Sequence, residues 1–216
     1  MQPVQALAAT LAVFGVVAGL LAAVRSGRRH QVSALGHALL AVVLLWTAVW
    51  LWPIGAGIGG YDPLRDGQAV AEVYFEQLVP GRFRATMTRL PAGRMQVFDL
   101  DGDAWRIDAR TLHWRGWALA AGLAPRYQLD RLTSLAAGAN DKSVARRTYE
   151  LGDPGGLGFW QRIRAGRYWR RVVDARLVYG PDTAMTHGAR YEMVLSAQGL
   201  DALPINDAAA AAQAAH

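Results

Sequence analysis

The chain has 216 residues, 52% of them hydrophobic and only 19% charged, with a formal net charge of +6. That leaves room for one ordinary domain plus an extra element, in a composition apolar for a soluble protein yet too polar for a polytopic transporter. Cysteine is absent, which excludes disulfides, thiolate catalysis and cysteine-ligated metal, and half of the net charge comes from three arginines in the first 61 residues, so the basicity is not the footprint of a nucleic-acid-binding domain.

Residues 3–24 carry no charge and are dominated by Ala, Leu and Val. A helix of that length reaches roughly 33 Å, enough for a hydrocarbon core of about 30 Å. A short basic loop, 25–31, follows with Arg25, Arg28 and Arg29. A second apolar run, 32–52, gathers Trp46, Trp50 and Trp52 at its far end, where amphipathic rings favour a membrane–water interface. Pro53 and the glycines of 55–60 are expected to end this helix and form a flexible exit. Gly15 and Gly19 form a small-xxx-small pair that allows close helix packing within the hairpin. A signal peptide fits less well, because the first residues are uncharged and the apolar run is long; a buried soluble hairpin is the other reading of two such lengths.

Membrane lipids are therefore the first expected partner. Basic residues favour the cytoplasmic side, so Arg25, Arg28 and Arg29 put the loop inside and everything after residue 60 outside, as the periplasmic domain of a multi-pass protein of a bacterial inner membrane. Neither span holds an Asp, Glu, Lys or Arg, the groups an ion-coupled transporter needs, and His37 lies near the cytoplasmic end.

Residues 61–206 have a normal single-domain size. Strand-like runs at 68–79, 82–90, 95–100 and 104–114 are joined by turn residues, with Asp101-Gly102 a two-residue hairpin signal, and read as an antiparallel meander. Val73 and Phe75, then Phe83, Ala85 and Met87, then Trp105, Ile107 and Ala109, share faces. The stretch 116–123 reads as a helical turn, 126–132 as a strand, 134–140 as a loop, 143–151 as a strand or short helix, 157–165 as a helix, and 172–179 and 189–196 as late strands. The alanine-rich tail, 207–216, is expected to be disordered or a frayed helix. The fold class is thus a membrane-anchored α+β protein: a transmembrane hairpin, 1–60, and a mostly antiparallel β domain, 61–206, with one or two short helices.

Signals for chemistry are sparse. Asp99, Asp101 and Asp103 cluster as a calcium loop would, but the glycine comes too early and no closing Glu follows, so a turn with solvated acids is the plainer reading. The histidines show no metal-ligand spacing, Ser134, Ser143 and Ser196 lack nucleophile-elbow glycines, and no phosphate loop or dinucleotide fingerprint occurs. No cofactor, metal or catalytic set is implied. The segment 159–171 interleaves Phe159, Trp160, Tyr168 and Trp169 with Arg162, Arg164, Arg167, Arg170 and Arg171. Such a segment can lie in a membrane interface or dock a protein partner, with Trp160, Arg162, Arg164, Arg167, Trp169, Arg170 and Arg171 as contacts. It can equally be a core-packing helix whose arginines face water.

The run 98–118, from Phe98-Asp-Leu-Asp-Gly-Asp-Ala-Trp105 through Trp114-Arg-Gly-Trp117-Ala, together with Ala189-Arg-Tyr191-Glu-Met-Val-Leu-Ser196, resembles small proteobacterial two-span membrane proteins often labelled "cation/multidrug efflux pump". The resemblance covers the anchor and most of the domain and implies no particular site residues. With two spans and no acid inside them, an envelope or efflux accessory role that presents an interaction domain is the leading expectation. A multidrug transporter component built from oligomerising hairpins and a membrane-bound hydrolase are the alternatives.

Overall fold

A computed structural model describes residues 3–26, 31–120, 122–137, 143–167, 169–196 and 198–215. The chain divides into two compact units, residues 1–61 with 153–162 and residues 62–152 with 163–216. The helical unit therefore contains more than the expected hairpin, because it recruits part of a helix from beyond residue 150.

Helix α1 (Pro3–Ser26) and helix α2 (Gln31–Ile58) form that hairpin. Small buried residues recur every seven positions, Ala8, Gly15 and Ala22 on α1 and Ala34, Ala41, Ala48 and Gly55 on α2, with Ala18 buried between Gly15 and Ala22, and Gly57 and Ile58 buried at the end of α2. A seven-residue repeat keeps one seam facing the partner helix, and small side chains let the two backbones approach closely. A Cβ at Gly15 would lie 2.8 Å from Leu45 Cγ, and one at Gly19 would lie 3.8 Å from Ala41 Cβ, so both glycines serve the packing expected of them. The large apolar side chains turn the other way. Trp46 is 65% exposed and Val49 69%, whereas Ala41 is 6% exposed.

One expectation for the hairpin is corrected. The helix does not stop at Pro53 but continues to Ile58, with Gly59 N donating to Gly55 O at 3.1 Å. Proline removes one N–H from the ladder, and the bonds on either side carry the helix on. The glycines that looked like a flexible exit are a packing surface: a Cβ on Gly57 would run into Phe159 of the same unit.

The other unit is a sandwich of two antiparallel sheets. The first has the order β11-β10-β2-β3-β4, built from β2 (Gln68–Val79), β3 (Arg82–Arg89), β4 (Arg94–Asp101), β10 (Arg190–Leu195) and β11 (Leu200–Pro204). The second has the order β1-β6-β5-β8, built from β1 (Asp62–Pro63), β5 (Ala104–Trp114), β6 (Arg126–Ala137) and β8 (Val173–Tyr179), with β7 (Ser143–Glu150) on β6 and β9 (Thr183–Ala184) on β5. Val73, Phe75, Phe83, Ala85 and Met87 from the first sheet meet Trp105, Ile107, Ala109, Leu129 and Leu132 from the second in one core. At its centre Trp105 lies 5.1 Å from Phe75 and 5.7 Å from Tyr191, ring centroid to centroid. Tilted aromatic contacts at such distances add to the area they bury.

The meander ends one strand earlier than expected. Strands β2, β3 and β4 pair in succession, but β4 and β5 belong to different sheets. Asp101-Gly102 is therefore a crossing between sheets and not a hairpin. Gly102 has φ +128°, and a Cβ there would strike the Leu135 carbonyl oxygen, so only glycine fits where the chain passes β6. Of the expected loop at 134–140, residues 134–137 belong to β6 and Ser134 is buried, its Oγ accepting from Arg147 N at 3.1 Å, while 138–140 lie outside the described residues. The stretch 143–150 is a strand, and 200–204 is a strand the sequence reading did not contain.

Among the described residues three further α-helices are short: α3 (Trp117–Ala120), α4 (Pro154–Ala165) and α5 (Asp207–Ala214). Within the alanine-rich tail, residues Asp207–Ala214 form the helix α5. Asn206 caps α5 by accepting from Ala209 N, and Ala209 is fully buried in the sandwich core.

Candidate functional site

At the closed end of the hairpin, Arg25 donates to His37 Nε2 at 3.0 Å while His37 Nδ1 bonds the Ser33 carbonyl at 2.7 Å, which uses the Nδ1–H tautomer. The other two topology residues, Arg28 and Arg29, lie outside the described residues. Toward the opposite end Trp46, Trp50 and Trp52 are all exposed, and the rings of Trp46 and Trp50 lie 6.1 Å apart.

The basic aromatic segment separates by chemistry. Phe159, Trp160 and Ile163 form the buried side of α4, and Arg162 and Arg164 are exposed. Trp160, expected as a contact residue, is instead withdrawn inside, because its spacing from Phe159 and Ile163 places it on the apolar stripe. A 3-10 turn, Trp169–Arg171, follows, with Trp169 half-buried and Arg167, Arg170 and Arg171 exposed. Tyr168 lies outside the described residues. Among the described residues Arg162, Arg167, Arg170 and Arg171 have no ion pair or hydrogen bond from their side chains.

The end of α4, this turn and β8 enclose a cleft of about 400 Å³ lined by Arg115, Ile163, Arg164, Arg170, Val173, Asp174 and Ala175. Of its lining residues, Ile163 and Val173 are buried. Two main-chain bonds fix the frame: Val172 N donates to Trp169 O at 2.9 Å, and Arg115 N donates to Val172 O at 2.7 Å. Arg115 and Arg176 both donate to Asp174 Oδ2, at 2.6 and 2.7 Å. His113 sits directly across the ladder from Asp174, and burial, reinforced by Arg176, pushes its imidazole pKa down. Sequence reasoning missed Arg115, Asp174 and Arg176. Their only signal is their position after or within a strand, because Arg115 meets Asp174 and Arg176 from a segment about sixty residues away.

A second charged group lies on β5 and β6, on positions alternating with the core residues. Asp108, 1% exposed, is paired with Arg106 at 3.2 Å and Arg131 at 2.9 Å; Arg106 also reaches Asp182 at 3.1 Å, and Arg110 pairs with Asp130. Burial pushes the Asp108 carboxyl above the ordinary carboxylate range, against the pull of the two arginines. Every acid here is matched by a base. Such closed networks specify strand register more than they stabilise, and they leave no charge to offer a substrate.

The acidic cluster of the Asp-Gly turn is likewise engaged. Asp99 pairs with Arg84 at 3.2 Å and Asp101 with Arg82 at 2.8 Å, each directly across the β3–β4 ladder, and Arg147 also reaches Asp101 at 2.8 Å. Hydrogen bonding from Arg82 holds the Asp101 carboxyl below its ordinary range. Among the described residues no three His, Asp or Glu side chains are grouped to hold a metal ion.

Comparison of the chain with protein-family models, with curated proteins and with solved structures finds no match.

Proposed function

We propose that the chain is an integral membrane protein whose hairpin crosses a bacterial inner membrane twice and presents the β-sandwich on the periplasmic side as an interaction domain. One observation carries the reading: the hairpin is packed inside out, with alanine and glycine in its seam and Leu, Val, Phe and Trp on its outer surface. In water that surface is an unfavourable exposure of apolar area, and in a bilayer it is the matching one. The spans 5–26 and 31–52 are each 22 residues long, and an 18-residue window within each has mean hydropathy 2.5 and 2.1 respectively. Arg25, Arg28 and Arg29 in the connecting segment, with no basic residue before them, favour that segment on the cytoplasmic side. Arg25 and His37 are the only basic or acidic side chains in the two spans, and they bond each other at one end, which favours an anchor over an ion path. An envelope or efflux accessory factor fits this arrangement better than a pump.

Alkaline carbonate extraction of native membranes, combined with reporter fusions after Gly60 and at the chain end, tests the proposal. The expected result is retention in the membrane, with alkaline phosphatase active and a fluorescent protein dark at both positions. Release by carbonate sinks the anchor; fluorescence at both positions sinks the periplasmic orientation.

A further inference from the structure

Strand β4 is an outer strand of the first sheet, paired with β3 on one side only. The hydrogen bonds of the ladder fix which of its backbone groups face outward. Phe75 N donates to Ala189 O and Gly188 N donates to Phe75 O, so Phe75 turns its main chain toward β10. Ala85, opposite Phe75, therefore turns its own toward β4, where it bonds Phe98. By the same alternation Met95, Val97 and Asp99 point their N–H and C=O groups away from the sheet. At Asp99 the fold covers this edge: its carbonyl accepts from Tyr149 Oη at 2.8 Å and from Arg147 Nη1 at 3.1 Å. At Met95 and Val97 it does not, for no hydrogen bond from a described residue reaches their outward groups. Their side chains are 65% and 56% exposed, and residues 95–98 carry no charge. An open, uncharged edge with apolar side chains is a template for another strand, which folds ordinarily blunt. Elsewhere this one does: β11 has five residues and ends in Pro204, and β8 shares its cleft with Arg164 and Arg170.

The open stretch is complementary to itself. Laid antiparallel about Gln96, Met95 of one copy stands opposite Val97 of the other, and each donates its N–H to the other's C=O. The four open backbone groups of each copy then meet the four of the other. Opposed residues share a face, so Met95 and Val97 of both copies form one apolar cluster, while Arg94 stands opposite Phe98 and no like charges are opposed. Neighbouring registers lack this match. Shifted one way, Met95 meets Asp99, whose carbonyl is already held. Shifted the other way, Val97 meets Gly93, whose N–H is spent on Arg89 O at 2.8 Å. We propose that the Met95–Val97 edge of β4 pairs with the same edge of a second copy of this chain, joining two five-stranded sheets into one. The inference stands independently of the membrane reading.

The chain has no cysteine, so the pairing can be tested by disulfide formation. Two differently tagged full-length chains, one Met95→Cys and the other Val97→Cys, are mixed in mild detergent and oxidised. Hydrogen-bonded antiparallel partners have Cα atoms about 5.5 Å apart, within disulfide range. A disulfide joining the two tags is expected, with a yield several-fold above that of either variant alone, whose cysteines would lie diagonally across the pair. Equal yields from the single variants, or from Leu203→Cys on the opposite edge of the sheet, mean random collision and overturn the pairing. Sedimentation of the unsubstituted chain supplies the second measurement. A dimer is expected, and Val97→Lys should weaken it about tenfold or more while Val97→Ile preserves it. Val97 is exposed, so the melt of Val97→Lys followed by circular dichroism should match the parent. A dimer unchanged by Val97→Lys is held elsewhere, the hairpin included, and overturns the proposal. A chain monomeric up to about 100 µM overturns it as well, leaving the edge to a strand of another protein.

Discussion

The two units bury opposite kinds of side chain. The hairpin hides Ala8, Gly15, Ala22, Ala34, Ala41 and Ala48 and turns Phe14, Leu20, Trp46 and Val49 outward; the sandwich hides Trp105, Phe75, Tyr191, Met87 and Met193 and turns arginines and aspartates outward. The sandwich is the arrangement water selects, since apolar area removed from it stabilises by about 25 cal/mol per Å². In the hairpin the seam contributes little area, and what it offers is close backbone approach, the main source of helix association where the surroundings are themselves apolar. The difference teaches that a core is defined by the solvent around it. On the membrane reading proposed above, large side chains inside and small ones inside are both well-packed solutions, each for its own medium.

The sharpest break in the comparison comes from the sandwich core. Trp105→Ala should cost about 3–5 kcal/mol in urea unfolding of the sandwich, because it empties the space between Phe75 and Tyr191, while carbonate extraction of the chain stays unchanged. Overfilling the hairpin seam is the converse. Oxidation of the pair Gly19→Cys and Ala41→Cys should give a complete disulfide in a chain that has no other cysteine, since the two Cβ positions are 3.8 Å apart. Adding Gly15→Leu, which meets Leu45, should cost about 1–3 kcal/mol and abolish that cross-link without moving the sandwich melt.

Smaller effects sharpen the picture within the sandwich. Burial, with the Asp62 carboxylate adding to it, pushes the Tyr127 phenol up to about 12, and its hydroxyl donates to Leu90 O at 3.2 Å. A raised pKa in the folded state gives stability that is whole below the unfolded value near 10 and is lost as pH rises from there toward 12. Alkaline titration followed at the phenolate band should therefore show a late component that coincides with loss of the sandwich, and Tyr127→Phe should diminish it, leaving the part owed to Tyr191, which burial also pushes up. Smallest of all, Arg84→Ala should cost under about 1 kcal/mol in urea, because the Arg84–Asp99 pair is nearly half exposed and solvent screens it. A larger loss would mean that the outer face of this sheet is less open to water than its exposure indicates.

Much of the local structure was legible before any coordinates. Alternation at 82–90 and 104–114 located β3 and β5 to within a residue, and helical spacing at 157–165 announced α4. The two long apolar runs were equally plain. These signals are carried by near neighbours along the chain, through a period of two for strands and 3.6 for helices.

The tertiary structure decided what near neighbours cannot. Asp101-Gly102 reads the same whether the next strand pairs with the last or crosses to another sheet; the choice lies in the approach of Gly102 to Leu135 O and in which apolar face β5 must cover. Pro53 and the glycines after it suggest an ending, yet α2 runs on and Gly57 receives Phe159 from a hundred residues away. Of the cationic cleft, the sequence alone determined that arginines were gathered at 162–171. That Arg115 and Asp174 complete it was settled by the pairing of β5 with β8, because such a cleft is a meeting of distant strands, and hydrophobic periodicity records only which way each residue faces.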